Sequence, residues 1–217
     1  MKKILLAGGL LLTVFCAEGW GFPLVVINEF LADPPAGPWG DANQDGVRNA
    51  SDDEFVELLN TGLTDADLQD WTLWDSASLR HLFRSQVLLR PEERLVVFGG
   101  GNLSHFPGLT FAASSGSLNL NNSGDAVILK NALGNTIDSA FFGAEGNRDQ
   151  SLVRFPEGKG SFYLHAAISA KDLPFSPGAD VEGNRSGNLV PESNSLVTIS
   201  VGLFFLAIGL RRRSTSE

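Results

Sequence analysis

Oxygen-bearing side chains recur at alternate positions in one short acidic segment of this 217-residue chain. Asp41, Asn43 and Asp45 stand at the first, third and fifth positions of a D-x-[DN]-x-[DN]-G pattern that ends on Gly46. Alternate residues of a tight loop can direct their oxygens to one point, and the glycine permits the sharp turn. Calcium takes about six to eight oxygen ligands. The spacing therefore predicts a calcium loop.

The second half of this segment supplies further oxygens. Val47 offers its backbone carbonyl, Asn49 can bind directly or through water, and Asp52 closes the coordination sphere. Asp53 and Glu57 are additional candidates, although we expect each to be solvated or paired with an arginine. The alternative is an acidic, Asn/Gly-rich turn that binds no metal.

Other residues with chemical potential form weaker patterns. The glycines at 99–101 are interpreted as a wide turn, since no Lys-Ser/Thr pair follows them as a phosphate-binding loop requires. His81, His105 and His165 share no metal-ligand spacing, and we expect surface or half-buried positions for them. No Gly-x-Ser-x-Gly elbow is present. The sequence thus predicts no nucleophile and no zinc site.

Two acids and three tryptophans allow alternative functions. Glu29 and Glu57 lie on neighbouring predicted strands and could form a glycosidase pair, but rim carboxylates near the calcium loop explain them more simply. An aromatic platform for a glycan could use Trp39, Trp71 and Trp74, whereas such tryptophans more often fill the core of a sandwich.

The elements around the loop have strand character. Apolar runs bounded by Gly, Asn, Asp and Pro predict seven strands, at residues 24–32, 54–60, 71–75, 94–98, 126–130, 136–142 and 151–155. Residues 131–135 predict a hairpin with Gly134 at positive φ. The spacing favours an antiparallel sandwich or barrel. Because the run after Asp52 is interpreted as a strand, the calcium loop would join two strands.

Charge and cysteine content narrow the class of protein. Three of the 25 acidic and five of the 16 basic residues lie near the two ends, so the remaining middle carries 22 acids against 11 bases. A duplex-binding module needs a basic face, so no nucleic-acid partner is expected. The one cysteine, Cys16, lies in the first 19 residues, which leaves the domain without a disulfide.

The two ends predict export and anchoring. Lys2 and Lys3 precede an apolar run at 4–15, and small residues follow, so residues 1–19 are interpreted as a signal peptide. Lipidation of Cys16 is the alternative, which the preceding residues fit poorly. Residues 178–195 predict a flexible stalk, and residues 196–213 predict a transmembrane helix that ends on three arginines.

Several sequence blocks resemble a bacterial lamin-tail domain. They are VVINEFLADPP (25–35), DEFVELLNTG (53–62), DLQDWTLWD (67–75), LRPEERLVVFGGG (89–101), LNLNNSGDAVILKNALGNTIDSAFFG (118–143), DQSLVRFP (149–156) and FSPGAD (175–180). The resemblance implies an all-β, immunoglobulin-like β-sandwich over residues 20–177 and implies no catalytic activity.

Two shorter resemblances concern the loop and the tail. Asp52 stands where an EF-hand has glutamate, so the loop is more similar to dockerin-type loops. Pro191, Glu192 and Ser193, followed by the apolar run and the arginines, resemble the PEP-CTERM sorting signal of Gram-negative bacteria, with serine in place of its second proline.

These patterns together predict a non-enzymatic, calcium-stabilised surface module for adhesion, matrix assembly or protein interaction. The expected partners are a surface or extracellular protein or a polysaccharide, and the membrane through the C-terminal helix. The alternatives are a carbohydrate-binding module and an accessory domain of an extracellular hydrolase.

Overall fold

The computed structural model describes residues 25–185, and this part of the chain is built from β-strands. Twelve strands follow one another: β1 Val25–Leu31, β2 Phe55–Asn60, β3 Ala66–Asp67, β4 Thr72–Trp74, β5 Leu79–Leu82, β6 Leu88–Leu89, β7 Arg94–Phe98, β8 Leu109–Ala112, β9 Asp125–Lys130, β10 Thr136–Phe142, β11 Leu152–Phe155 and β12 Ser161–Leu164. Short 3₁₀ turns occur at Pro38–Gly40, Leu103–His105, Ala144–Gly146 and His165–Ala167. None of these turns has the length and apolarity that a bilayer crossing needs.

The strands form two main sheets. The larger has six strands in the order β12-β11-β1-β2-β7-β8, and the second has four in the order β10-β9-β4-β5, while β3 and β6 pair separately. The pairings are antiparallel except for β7 with β8, which run parallel. This arrangement is a β-sandwich, as the spacing of the strands predicts.

The main core lies between the two sheets. It combines apolar side chains of both inner faces, among them Ile27, Phe30, Leu58, Leu73, Leu95, Val127 and Leu129. Alternating side chains along β1, β2 and β7 therefore point into this layer.

A second apolar cluster covers the outer face of the larger sheet. Its members are Leu31, Ala42, Phe55, Val96, Phe98 and Phe106, with Leu103 and Phe175 packed against them. Four of these residues lie on β1, β2 and β7 themselves. The others come from the loop after β1, from the segment between β7 and β8, and from the segment after β12. Every residue of β1 and β2 is consequently buried, on both faces of the sheet.

The seven strands that the sequence predicts are present, with ends that differ by at most one residue. The hairpin is also confirmed, since Asn131 and Asn135 pair through a backbone bond of 2.9 Å and Gly134 has a φ of 80°. Strands β3, β5, β6, β8 and β12 are not predicted. The signal peptide at 1–19 and the hydrophobic anchor at 196–213 lie outside the described residues.

The start of the predicted stalk is placed too early. Ala179 and Val181 are buried, and the Gly178 amide donates to Glu57 Oε2 at 2.7 Å. The Gly183 amide donates to the Asp180 carbonyl at 2.7 Å, so the small polar residues form a turn here. Residues 178–185 therefore belong to the folded domain.

Candidate functional site

The predicted calcium loop joins β1 to β2. Asp41 Oδ1 accepts from the Asp45 amide at 3.1 Å, and its Oδ2 accepts from the Gly46 amide at 2.9 Å. Asn43 Oδ1 lies 3.0 Å from the same Asp45 amide, and Asp45 Oδ1 accepts from the Val47 amide at 2.8 Å. The structure thus draws the oxygens of Asp41, Asn43 and Asp45 around one tight turn.

The second half of the loop is arranged differently. Asn49 Oδ1 accepts from the Ser51 amide at 2.9 Å and from the Asp52 amide at 3.4 Å, forming a local turn of its own. The Val47 side chain is exposed, and Asp52 is half-buried. Asn49 therefore bonds to the Asp52 amide within the second half of the loop. In the first half, the oxygens of Asp41 and Asn43 both accept from the Asp45 amide.

A buried carboxylate connects the two halves. Asp53 Oδ1 accepts from the Asn43 amide at 3.1 Å, and its Oδ2 accepts from the Asn49 amide at 2.7 Å. Burial raises the pKa of Asp53, although these two backbone donors act in the opposite direction. The expectation of a solvated or arginine-paired Asp53 is wrong. Its role could not be read from the motif, because Asp53 follows the last motif position.

The glycine turn at 99–101 packs directly against this loop. Asn43 Nδ2 donates to the Gly100 carbonyl at 3.3 Å, and the Asn102 amide donates to Asp45 Oδ2 at 3.0 Å. A Cβ added at Gly100 would lie 2.4 Å from Asp52 Oδ1, and one at Gly101 would lie 2.1 Å from Asn43 Nδ2. The turn after β7 is confirmed, and close approach of the loop explains why it consists of glycine.

The donor chemistry of the loop fits calcium, since Asp41, Asn43 and Asp45 present only oxygen acceptors. Within residues 25–185, no group of three or more His, Cys, Asp or Glu side chains is placed to hold a metal ion. The predicted ligand set also includes two asparagine side chains and a backbone carbonyl. The six-ligand set of Asp41, Asn43, Asp45, Val47, Asn49 and Asp52 stays a prediction.

A buried polar cluster lies around Glu29 and Glu57, on the face of the larger sheet that carries Leu31 and Phe55. These residues are register partners on β1 and β2, and both are 0% exposed. Glu57 accepts from Asn28 Nδ2 at 2.9 Å and lies 3.4 Å from Arg94 Nε. Burial raises the pKa of Glu57 well above its usual range, the charge of Glu29 raises it further, and Arg94 opposes both.

Glu29 is held by Ser151, which directly precedes β11, and by Ser176 in the segment after β12. Its Oε1 accepts from Ser151 Oγ at 2.6 Å and from the Ser176 amide at 2.9 Å, and its Oε2 accepts from Ser176 Oγ at 2.9 Å. His165 Nε2 lies 2.8 Å from Ser176 Oγ, and His165 Nδ1 donates to the Leu173 carbonyl at 2.7 Å. The expected rim position of these carboxylates is wrong. They are buried because loops and the segment after β12 cover the face of the central strands opposite the smaller sheet, a feature that strand periodicity does not reveal.

The geometry of this cluster disfavours the glycosidase alternative. A glycosidase acid and its partner must reach the sugar on either side of the scissile bond. Glu29 and Glu57 are instead enclosed, and their oxygens accept hydrogen bonds from protein groups.

Two of the three histidines are more buried than expected. His165 is enclosed in the Glu29 cluster, and His81 packs against Phe83 with ring centroids 4.5 Å apart. His81 Nδ1 accepts from the Ser114 amide at 3.2 Å, and burial lowers the pKa of His81 to about 4. His105 is exposed, as expected.

The tryptophans do not form a common core. Trp39 is 84% exposed in the loop after β1. Trp71, just before β4, and Trp74, the last residue of β4, are half-buried, and Lys130 Nζ lies 4.4 Å from the centre of the Trp74 ring. The expected core position is therefore wrong for Trp39, which remains a candidate contact residue.

Fold and site together define an all-β, immunoglobulin-like sandwich with an acidic loop between its two central strands. A family model described as Lamin Tail Domain matches residues 22–144, more than half of the chain. The chain belongs to the lamin tail domain family. A search of curated proteins gives no match.

Proposed function

We propose that this lamin tail domain is a non-enzymatic, exported interaction module that calcium stabilises and that a C-terminal helix holds at the cell envelope. The observation that carries the proposal is that the side chains with chemical potential bond to other protein groups and are shielded from solvent. Glu29, Glu57 and His165 are all buried and engaged in hydrogen bonds within the sandwich. Such groups support the fold, which leaves the loops and strand edges to contact partners.

Calcium has a structural role in this proposal. Bound calcium supplies a cross-link among oxygen ligands. Asp41, Asn43 and Asp45 would hold it from the first half of the loop, and the Val47 carbonyl, Asn49 and Asp52 from the second. Asp53 and the glycine turn already position both halves.

Thermal unfolding of the full-length chain in EDTA, calcium or magnesium tests this role. Extracellular calcium modules bind with dissociation constants of about 0.1–1 mM. At tenfold excess over such a value, linkage adds about 1.4 kcal/mol to the free energy of unfolding. We therefore expect calcium to raise the melting temperature by about 2–4 °C. Magnesium should act weakly, because it requires tighter octahedral geometry.

The Asp45→Ala variant should lose the calcium-dependent shift, while Asp65→Ala, which removes an exposed carboxylate elsewhere, should keep it. Equal melting curves in EDTA and calcium, with no binding heat at millimolar calcium, would reject the metal assignment.

Cell fractionation tests the proposed anchor. The apolar run at 196–210 and Arg211, Arg212 and Arg213 motivate the proposal that the chain is held in the membrane. A chain that ends at Asn188 should move from the membrane fraction to the periplasm or medium. The same distribution for both chains would contradict anchoring.

Carbohydrate binding is a second candidate, which the exposed ring of Trp39 favours. A glycan array with the full-length chain and with Trp39→Ala separates the two functions. Glycan binding that requires Trp39 would support the carbohydrate function, and its absence would support protein interaction.

A further inference from the structure

The two sheets end on β5 and β8 at one side of the sandwich and on β10 and β12 at the other. Hydrogen bonds link the two sheets to different extents at these two sides. On the side of β5 and β8, the segment after β8 pairs with β5. Ser114 Oγ accepts from the Leu82 amide at 3.0 Å, and the Ser115 amide donates to the Arg80 carbonyl at 3.1 Å. These bonds occupy backbone groups that a partner strand would need.

On the opposite side, hydrogen bonds centred on Arg154 link β11 to the edge strand β10 and to the turn before the edge strand β12. Arg154 donates to the Ile27 carbonyl at 2.6 Å, to the Gly160 carbonyl at 3.0 Å and to both carboxylate oxygens of Asp138 at 2.8 and 3.0 Å. Asp138 also accepts from the Ile27 amide at 2.9 Å. This clamp closes the part of the side that contains the bulge of β10.

Beyond the clamp, the same side opens into a groove of about 500 Å³. Its lining residues are Phe141, Glu145, Leu152, Ser161, Phe162, Tyr163 and Leu164. Phe141 is 76% exposed and Tyr163 is 47% exposed. Beneath them, the Phe30 ring lies 5.0 Å from that of Phe142 and 5.1 Å from that of Phe162, between centroids. The groove thus has exposed aromatic side chains in Phe141 and Tyr163, and its lining residue Phe162 packs against the buried ring of Phe30.

One wall of this groove is β12, which pairs with β11 on one side and has no strand on its other side among residues 25–185. The His165 amide donates to the Ser151 carbonyl at 3.0 Å, and Tyr163 is the register partner of Val153. Because hydrogen-bonded pairs alternate in an antiparallel ladder, the backbone groups of Phe162 and Leu164 point away from β11. They face the open edge, and strands that end a sheet in this way can pair with an added strand.

The negative charge at the groove indicates which kind of partner can bind there. Glu145 is exposed, and a hydrogen bond from the Gly143 amide lowers the pKa of its carboxyl, so the groove carries a negative charge at neutral pH. Residues 25–185 contain 22 acidic and 11 basic residues. A second copy of the chain would bring the same carboxylate and the same excess of negative charge, which opposes self-association.

We propose that the groove between β10 and β12 binds an extended peptide segment of a partner protein, which adds a strand to β12. The segment has apolar side chains at alternate positions, which enter the aromatic groove, and a lysine or arginine that pairs with Glu145. This inference rests on the proposed interaction function and names its partner class. Failure of the peptide-binding proposal can be distinguished from failure of the proposed function, because the anchor and calcium experiments do not involve the groove.

A labelled peptide tests the proposal directly. The probe is an acetylated and amidated octapeptide, Lys-Val-Thr-Val-Thr-Val-Thr-Lys, and binding to the full-length chain is followed by fluorescence anisotropy. A peptide with proline in place of the central valine should bind at least about tenfold more weakly, since proline lacks the donor that a strand pairing uses. A peptide with glutamate in place of both lysines should also bind more weakly, and the difference should shrink in high salt.

Protein variants locate the binding site. Phe141→Ser should weaken binding of the valine peptide by about tenfold through the loss of apolar contact area. Glu145→Gln should weaken it by about threefold. The matched control Leu133→Ser removes an exposed apolar side chain in the hairpin at the other end of β10 and should leave affinity unchanged. Thermal melts establish that each variant is folded.

Amide chemical shifts at Phe162 and Leu164 should change on addition of the peptide. The proposal is overturned if the peptide does not bind at millimolar concentration, if the proline peptide binds as well as its parent, or if Phe141→Ser and Glu145→Gln both retain the original affinity.

Discussion

Glu54 shows how one buried side chain sets a pH dependence. It precedes β2, and its Oε2 accepts from the Leu120 amide at 3.2 Å. Burial raises the pKa of Glu54 from 4.5 to about 7, although hydrogen bonds from the Leu120 and Asn119 amides oppose this effect. Between these two values the folded chain binds more protons than the unfolded chain. The contribution of Glu54 to stability is therefore greatest at low pH and is lost as the pH rises through about 7.

The substitution Glu54→Gln keeps an oxygen for the Leu120 amide and removes the titration. We expect the variant to gain stability relative to the original chain as the pH rises from 4.5 to 8, by at most about 3 kcal/mol. Denaturant unfolding at four pH values measures this difference. His81 titrates with the opposite sign, since its lowered pKa costs stability as the pH falls from 6.5 to about 4, but it contributes equally to both chains.

Asp65→Asn provides the matched control, because it removes one exposed negative charge. A Glu54→Gln difference that parallels this control at every pH would contradict the assigned role.

Local spacing predicted some site residues and missed others. The first three predicted ligand positions are recognisable because the pattern fixes alternate oxygens and a glycine, and the structure brings Asp41, Asn43 and Asp45 together. Asp53 could not be assigned in this way because it follows the last motif position, and Glu57 could not because its partners are distant in sequence. Glu57, for example, accepts from Gly178, and that contact exists only after the chain has folded back.

At the scale of elements, the clamp formed by Arg154 and Asp138 joins the two sheets. Arg154 lies on β11 and Asp138 on β10, and the Arg154 guanidinium also lies 4.4 Å from the centre of the Phe162 ring. Both side chains are 15% exposed, so the pair is mostly shielded from water. Removing one partner of such a pair leaves the other charged and poorly solvated.

We expect Arg154→Met to lower the free energy of unfolding by about 3–5 kcal/mol. Asp138→Asn should cost less, because asparagine can still accept from the Ile27 amide. In a double-mutant cycle the two changes should couple by at least about 1 kcal/mol. Hydrogen exchange should show faster exchange of the Ile27 amide in Asp138→Ala. Strictly additive effects, with unchanged protection of Ile27, would show that the clamp does not connect the sheets.

Strand length explains which elements could be predicted. Residues 125–130 and 136–142 are long enough to show an apolar pattern bounded by turn residues, and both are strands. Strands β3 and β6 have two residues each, so no periodicity can develop. Strand β12 alternates between exposed and half-buried residues, which gives a weak apolar signal, and it is placed by pairing with β11. The edge that carries the proposed groove was consequently absent from the sequence prediction.

Both faces of the larger sheet are packed against other parts of the domain. The smaller sheet covers one face, and loops with the segment after β12 cover the other. Family resemblance could predict the sandwich, because the strands recur in order along the chain. It could not predict where the fold ends, since the composition after residue 177 is that of a linker. The contacts of residues 178–185 with distant strands decide that boundary.

Truncation measures what this terminal segment contributes. A chain that ends at Pro177 lacks the Gly178 amide, which donates to Glu57, and the Val181 amide, which donates to Glu157 Oε1 at 2.6 Å. It also lacks the Arg185 guanidinium, which lies 4.9 Å from the centre of the Phe106 ring. Because an unpaired buried group costs about 1–3 kcal/mol, the combined loss should reach about 3–5 kcal/mol.

The comparison chain ends at Asn188 and retains these contacts, so its denaturant midpoint should match that of the full-length chain. Val181→Ala in the full-length chain is a milder test of the same packing and should cost about 1–2 kcal/mol, as other losses of buried methyl groups do. If the chains ending at Pro177 and Asn188 unfold at the same denaturant concentration, then residues 178–185 add nothing to the fold. In that case the buried carboxylate of Glu57 must be satisfied by Asn28 and Arg94 alone.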